Sequence, residues 1–390
     1  MKTTAIISEF NPFHNGHKYI ADNARKNGAD CVIAVMSGNW VQRGDTAIIS
    51  KFARTNQALE CGFDLVVELP TYWAMATAQK FAAGALCIVE NLGADALCFG
   101  SECGDITKIM QTVYCVRSKE FEQKVKAELL AGTPLAKARE LATEELCGNG
   151  ELLRNPNDTL AIEYISAAKD LNSKMRFEAV KRIAVGHNDI LKADGFCSAS
   201  TLREMIKNGN IDEAESYMPH AAFDILLDEY EKGKISDINT LEKAIIASLR
   251  TSSPEKIGKT PDTSEGIEHR IFNAASMSSS LSQLLETAGT KRYTNARLRR
   301  LILASFLNES IDTIPAKVPY IRVLGCNQMG ALFLQEAREN TKIPIVMRST
   351  TLKSTAAFDF EAKATDIYSL SQLVPDNSGS EFTNGVIVKR

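Results

Sequence analysis

His14 and His17 stand three residues apart in the stretch Glu9-Phe10-Asn11-Pro12-Phe13-His14-Asn15-Gly16-His17. On a helical turn that spacing projects both imidazoles to one side. Pro12 fixes the exit from a preceding β-rich segment, and Gly16 lets a ligand approach the backbone closely. A helix opening here would offer free N–H groups and the positive end of its dipole, a natural phosphate site. Two imidazoles at such a place can hydrogen-bond phosphate oxygens and stabilise charge on a pentacovalent α-phosphate, with no covalent intermediate. A metal pair or two solvated surface histidines are the alternatives. The chain has five histidines in all, and two of them fall at one strand-to-helix junction with Gly between them, which favours the phosphate reading.

Two further clusters carry chemistry. Ser198-Ala199-Ser200-Thr201-Leu202-Arg203 places hydroxyls at a helix start a few residues before an arginine. Capping of free N–H groups would explain Ser198, Ser200 and Thr201 by itself. The same pattern resembles the second phosphate-binding motif of nucleotidyltransferases, in which hydroxyls and an arginine hold the β- and γ-phosphates. Beside the first motif, phosphate binding is favoured. The third cluster is Lys291-Arg292-Tyr293-Thr294-Asn295-Ala296-Arg297-Leu298-Arg299-Arg300. On a helix Arg292, Arg299 and Arg300 would form a band near Tyr293, with Lys291 and Arg297 adding to the local charge. Such a run is either a solvated face or a contact with the backbone of a polyanion, and this feature alone leaves both open.

The elements that must position these residues are legible as patterns. Thr3–Phe10 is β-rich, and a helical pattern runs from about Gly16 to Asn27, closed by Gly28. Cys31–Ser37, Leu65–Leu69 and Ala96–Gly100 read as apolar strands, separated by helical patterns at Phe52–Cys61 and Ala76–Leu92. Almost wholly apolar strands alternating with helices indicate buried parallel strands joined by crossovers. The expected fold is a doubly wound, Rossmann-like α/β domain over residues 1–210, with ligands outside the carboxyl ends of its strands. A helical insertion is expected at about 104–150, with Phe121, Val125 and Leu129 on one stripe. A solvated helical layer is preferred there to a partner surface. Further helices are expected at Asn157–Leu171 and Ser198–Lys207, and a strand at Phe177–Ile183. Residues 211–390 lose the alternation and are expected to form a mainly helical C-terminal domain. It contains a loop at Thr251–Ser264 and a more β-like tail with Tyr320–Leu324 and Ile343–Met347.

Composition bounds the function classes. The 390 residues are 44% apolar and 24% charged, as in a globular protein with room for two or three domains. The net charge of -3 excludes a polycation, so any nucleic acid would have to meet a local basic surface. Nine scattered cysteines show no paired metal spacing and read as reduced thiols, most of them buried small hydrophobes. No run approaches the length of a membrane span, which makes a cytoplasmic location the default expectation, without a membrane partner.

Several blocks then make a family resemblance specific. Glu9–His17, Val35–Gly44 (VMSGNWVQRG), Asp64–Pro70 (DLVVELP), Phe99-Gly100-Ser101-Glu102, Arg154–Thr159 (RNPNDT), Ser264-Glu265-Gly266 and Lys291–Arg300 are spaced along nearly the whole chain. Together they resemble the bacterial tRNA(Met) cytidine acetate ligase family, a branch of the HxGH nucleotidyltransferases. The resemblance implies activation of acetate by ATP to acetyl-adenylate, then acetylation of the wobble cytidine of elongator tRNA(Met) to N4-acetylcytidine. It also implies ATP contacts from Ile7, Ser8, Glu9, Phe10, Asn11, Pro12, Phe13, His14, Asn15, Gly16, His17, Lys18, Tyr19 and Ile20, and from Gly100, Asn157 and Arg182. His14 and His17 would be the catalytic pair, Mg²⁺ would accompany ATP with no protein ligand set evident, and Lys291, Arg292, Arg297, Arg299 and Arg300 would bind tRNA. Arg43 and Lys51 are further candidates for tRNA or pyrophosphate. The rivals are a nucleotidyltransferase acting on a small phosphorylated metabolite and a non-catalytic RNA-binding protein. The roughly 180 residues beyond the α/β core and the intact His14-Asn15-Gly16-His17 count against them.

Overall fold

A computed structural model describes residues 1–183, 195–264, 266–290, 293–352 and 355–389. The candidate tRNA contacts Lys291 and Arg292, and Glu265 of the Ser264–Gly266 block, lie outside the described residues. The N-terminal part runs β1 (Thr3–Ser8), α1 (Asn15–Lys26), β2 (Cys31–Ser37), a short hairpin β3 (Trp40–Val41) and β4 (Asp45–Thr46), α2 (Lys51–Glu60) and β5 (Leu65–Leu69). It continues with α3 (Thr71–Ala74), α4 (Ala78–Leu92), β6 (Ala96–Ser101), α5 (Ile106–Val116), α6 (Lys119–Leu130), α7 (Leu135–Cys147), α8 (Pro156–Asp170), β7 (Arg176–Lys181) and α9 (Ala199–Lys207). The helix expected from Ala76 starts at Ala78, because Thr77 caps it: its side chain accepts from Lys80 N.

Strands β5, β2, β1, β6 and β7 lie side by side and all parallel. Residues alternate between the two faces, and both faces are apolar. Ile33, Val35 and Val67 enter one core with Phe81, Leu86, Val89, Ile162 and Ile165 of α4 and α8. Val32, Ala34, Met36 and Val66 enter the other with Ala21, Ala24, Ala58, Leu59, Leu202 and Ile206 of α1, α2 and α9. A sheet buried on both faces must be covered by helices twice, which is the doubly wound arrangement. The chain leaves β1 toward β2 and β5, then crosses back to β6 and β7, so the strand order reverses between β1 and β6. That is where a ligand crevice forms.

The stretch expected as a helical insertion holds the helices α5, α6 and α7. Its outer helix α6 buries Phe121, but Leu129 of the expected stripe is 44% exposed. Beyond residue 211 helices dominate, and a five-residue helix Pro254–Gly258, capped by Ser253, interrupts the stretch expected to be loop. The sheet crosses the boundary expected at 210. β8 (Ile321–Cys326) pairs antiparallel with β5, and β9 (Ile345–Val346) and β10 (Ile387–Val388) pair parallel with β8. All nine cysteines are free; Cys31, Cys61, Cys98 and Cys326 are buried and five are only partly so, fewer than expected. Among the described residues no helix is long and apolar enough to cross a membrane.

A buried ionic cluster fastens the C-terminal strands to the sheet. Lys51 Nζ, fully buried, lies 2.5 Å from Glu68 Oε1, in contact with Glu381 and 4.0 Å from Glu361. Arg322 of β8 pairs with Glu381 and stands 3.4 Å from Glu68 Oε2. Burial and the neighbouring Glu68 push the Glu361 carboxyl up to about 7. Burial alone would raise Glu68, but Lys51 and Arg322 outweigh it and hold that carboxyl below its usual value. This placement corrects the expectation for Lys51: with no exposed surface it cannot reach tRNA or pyrophosphate. Removing one partner from such a cluster strands the others without compensation. Lys51→Met should therefore cost about 3–5 kcal/mol in urea unfolding. The double variant Lys51→Met with Glu68→Gln should regain part of the loss.

Candidate active site

The β1–α1 junction orients both histidines through backbone donors. His14 is the N-cap of α1 in extended conformation, and its Nδ1 accepts from Gly16 N at 3.0 Å. His17 returns the favour to the cap: its Nδ1 accepts from His14 N at 3.2 Å. The rings stack with centroids 3.8 Å apart and planes 24° from parallel. Because each Nδ1 accepts, the proton of each neutral imidazole sits on Nε2, and the pair presents two Nε2–H donors. Burial, then Arg182 and Arg203, bring His14 down to about 3. Burial, then His14 and Arg182, hold His17 well below its usual value. Both rings are neutral donors at physiological pH, with two guanidinium groups close enough to act on His14.

Residues distant in sequence meet around this turn. Arg203 Nη1 donates to Asn11 O at 2.7 Å, and Asn15 Nδ2 to Gly195 O at 2.8 Å, which brings the Ser198–Arg203 helix start against the histidine loop. At the end of β6, a Cβ on Gly100 would lie 3.2 Å from Ile20 Cδ1 and 3.4 Å from Arg182 Cγ. Gly100, Ile20 and Arg182 therefore share one wall, and only a residue without a side chain leaves it open. Asn157 stands at the start of α8, where its Nδ2 donates to Glu102 Oε1 at 2.6 Å. Glu102 Oε2 also accepts from Asp158 N at 3.0 Å.

Not every residue of the 7–20 segment faces this crevice. Phe10 and Phe13 are fully buried against Phe63, and Pro12 is buried beside them, so their side chains anchor the loop in the core. Ile7, Ser8, Glu9, Lys18 and Tyr19 are partly exposed, and Tyr19 meets Phe196 edge-on at 6.1 Å. The hydroxyls at α9 do cap: Ser198 Oγ accepts from Thr201 N at 3.1 Å and lies 2.8 Å from both Ser200 Oγ and Thr201 Oγ1.

Only part of the basic block falls among the described residues, and Arg292 of the expected band does not. Its helix spans Asn295–Phe306 and is capped by Thr294, so it starts after position 292. Arg297 is committed to structure: its Nη2 donates to Asp262 O at 3.1 Å and Ser264 Oγ at 2.7 Å, and its guanidinium lies 5.3 Å from the Tyr293 ring centre. Arg300 is half-buried and reaches Gln42 O at 3.4 Å. Arg299 makes no polar contact among the described residues, and Arg43 is exposed.

Two positioning residues escaped the sequence reading. Arg54, fully buried, donates to Ile49 O at 3.1 Å, Glu9 O at 2.6 Å, Ser37 O at 3.0 Å and Gly38 O, tying together the carboxyl ends of β1 and β2. Glu102 was visible only as part of a family block, though a carboxylate just after a strand and in reach of a helix start is a capping signal. Among the described residues no three His, Cys, Asp or Glu side chains gather as a metal site.

Comparison with known proteins identifies the family. The chain matches the family described as HIGH Nucleotidyl Transferase over residues 1–381. It is 34% identical to the tRNA(Met) cytidine acetate ligase of a Thermoanaerobacter species, across 99% of this chain and 100% of that protein. The Clostridium perfringens protein of the same name is also 34% identical, over 95% of each chain. Crystal structures of Thermotoga maritima TmcAL superpose over the full length of both chains. The apo form gives a TM-score of 0.92 at 30% identity, and the form bound with alpha-thio ATP gives 0.90 at 29%.

The buried neutral imidazoles carry a stability signature. The unfolded chain binds protons near the ordinary histidine value of 6.5, whereas folded His14 resists protonation down to about 3. Stability is therefore full above pH 6.5 and falls as the pH drops through this window. Urea midpoints at pH 7.5 and pH 5 should show a smaller fall for His14→Gln than for the wild type.

Proposed function

The chain belongs to the HIGH nucleotidyltransferases and, among them, to the tRNA(Met) cytidine acetate ligases, and from that premise we propose how its residues perform the two half-reactions. The protein is a ligase. Acetate attacks the α-phosphate of ATP, a P–O bond forms, and pyrophosphate leaves. The N4 amine of the wobble cytidine in elongator tRNA(Met) then attacks the acetyl carbonyl, AMP leaves with the C–O electron pair, and one amine proton is released. The product is N4-acetylcytidine.

The observation that carries this reading is the pair of imidazoles whose Nδ1 atoms are occupied by backbone N–H groups at the first turn of α1. Two fixed Nε2–H donors beside Arg182 and Arg203 suit an α-phosphate that gains charge during attack. They act as His14 and His17 in adenylation, not on the cytidine. Donors held by the backbone need no reorganisation as that charge develops, which is the usual origin of such rate enhancement. Gly100 would admit the adenosine to the wall it shares with Ile20. Asn157, held by Glu102, would offer it a fixed amide. Ser198, Ser200, Thr201 and Arg203 would receive the outer phosphates, the capping hydroxyls turning their free lone pairs and protons to oxygen. Mg²⁺ would enter with the triphosphate and would offset its charge as pyrophosphate leaves.

The second substrate would approach over the C-terminal helices, with Arg299 as the backbone contact and Arg43 near it. Arg297 serves chiefly to fix the helix that presents them. A reaction on tRNA with ATP places the protein in the cytoplasm. The test is to incubate the purified protein with ATP, labelled acetate and bulk tRNA and to detect acetylated cytidine. A small-metabolite nucleotidyltransferase would give no acetate-dependent pyrophosphate exchange, and a non-catalytic RNA binder would bind tRNA without exchange.

His17→Ala should lower acetate-dependent ATP–pyrophosphate exchange by about 10²–10³-fold while tRNA binding survives. Arg299→Ala should weaken tRNA binding and lower the slope of log affinity against log salt by about 1. An unchanged slope would remove Arg299 from the interface.

A further inference from the structure

A separate cavity lies outside the crevice at the histidines. Tyr72 and Trp73 of α3 and Lys80 of α4 face Arg300, Glu309 and Ile314 across a space of about 220 Å³. None of its lining residues belongs to the 7–20 loop or to Gly100, Asn157 and Arg182. Because α3 directly follows the carboxyl end of β5, the cavity sits on the same side of the sheet as the nucleotide crevice. The β3–β4 hairpin joins the two. Gln42 N donates to Glu9 Oε1 at 2.8 Å, while Gln42 O faces Arg300 Nη1. Gly44, at φ 72, presses its backbone onto the Arg299–Arg300 turn, where a Cβ would lie 2.7 Å from Arg299 Cβ and from Arg300 N.

Lys80 and Asp262 in the lining pair with each other at 2.8 Å, but two buried polar atoms of this cavity are left unsatisfied. Glu309 is 5% exposed, and its Oε2 has no hydrogen-bond partner; nor has the buried Nε of Arg300. Burial, reinforced by Asp262, holds the Glu309 carboxyl well above the usual range and so favours its protonated form. A neutral carboxylic acid offers a donor and an acceptor side by side. Buried groups of this kind are costly until something pairs with them. The walls between them are aromatic and apolar: Tyr72, Trp73 and Ile314. The volume is below the ~300–1,000 Å³ of clefts that hold drug-sized ligands, so it suits one small ring system. A small anion would leave the apolar walls bare, and a cation would meet Arg300. A flat heterocycle with adjacent donor and acceptor on one edge satisfies both the walls and the polar groups. Arg299, which precedes Arg300 on the same helix, makes no polar contact among the described residues and is the arginine left to meet a phosphate.

We propose that this cavity receives one unpaired nucleobase of the RNA substrate, its hydrogen-bonding edge on Glu309 and the Nε of Arg300, its face on Trp73, and the adjoining phosphate on Arg299. The assignment rests on the chain's reading as a tRNA-acetylating enzyme. It adds a place where the RNA is gripped by a base, apart from the site of adenylation.

The test compares Glu309→Leu and Glu309→Gln with the wild type in two assays, acetate-dependent ATP–pyrophosphate exchange and acetylation of tRNA at saturating ATP and acetate. Glu309→Leu should lose about 10- to 100-fold in kcat/KM for tRNA, the worth of one base pairing or stacking contact. Its exchange rate and its KM for ATP should match the wild type, which also shows that the variant is folded. Glu309→Gln should stay within about threefold of wild type on tRNA, because an amide also carries a donor and an acceptor. Equal tRNA kinetics for all three proteins would overturn the cavity assignment alone. A raised KM for ATP in Glu309→Leu would also overturn it, since the base held there would be the adenine of ATP. Wild-type protein that exchanges pyrophosphate but never acetylates tRNA would instead overturn the reading of the RNA substrate, and the assignment with it.

Discussion

Lys51 and the carboxylates around it hold the two halves of the chain in one body. Glu68 comes from a central parallel strand, Arg322 from the antiparallel strand added beside it, and Glu361 and Glu381 from the last forty residues. Charges removed from water at such cost are tolerated only where every partner is in place. The cluster is therefore a registration device: β8, the helix Ala356–Ser369 and the chain end must all arrive before Lys51 is neutralised. Its neighbours extend the same lock to the hairpin. Trp40 Nε1 donates to Ala364 O at 3.0 Å, Tyr368 OH to Ala47 O at 2.9 Å, and Asn39 Oδ1 accepts from Lys51 N at 2.8 Å. The hairpin that touches both the nucleotide loop and the basic helix is thus positioned from the C-terminal end of the chain.

The nucleotide site depends on that frame through Arg54. Four backbone carbonyls from the ends of β1 and β2 and from the segment before α2 converge on one buried guanidinium. A planar, permanently charged donor suits this task because its five N–H groups point in fixed directions. With Glu9 and Ser37 held, the loop can deliver His14 to the N-cap position, and the cap geometry then chooses the imidazole tautomer. Ring protons on Nε2 follow from backbone hydrogen bonds, not from any partner acid. The same burial that keeps the rings neutral makes them donors whose strength increases beside an anion.

The C-terminal half then has two roles that its composition does not separate. Strands β8, β9 and β10 extend the sheet, while the helix Asn295–Phe306 buries its leucines in the core and carries a mixture of committed and free arginines. Arg297 is consumed by Asp262 and Ser264, Arg300 is shared between the hairpin and the cavity, and Arg299, partly exposed, has no polar partner among the described residues. Identical residue types three or fewer positions apart thus do three different things, because a helix turns each by about 100°.

Sequence by itself determined the doubly wound sheet, since apolar strands between helices can be satisfied only by burial on both faces. Cys31–Ser37 and Leu65–Leu69 appear with the bounds read from their runs of apolar residues. It also determined that His14, Gly16 and His17 open a helix, because local spacing and capping chemistry act within a few residues. Tertiary structure decided what depends on distant partners. Lys51 looks like any surface lysine until Glu68 and Glu381 surround it, and Arg297 looks like an RNA contact until Asp262 and Ser264 claim it. The continuation of the sheet past residue 210 was hidden for the same reason: β8 finds its partner more than 250 residues earlier, at Leu65–Val67. Local pattern carries the period of an element and its ends, whereas the neutralisation of a charge is fixed only by what the folded chain brings to it.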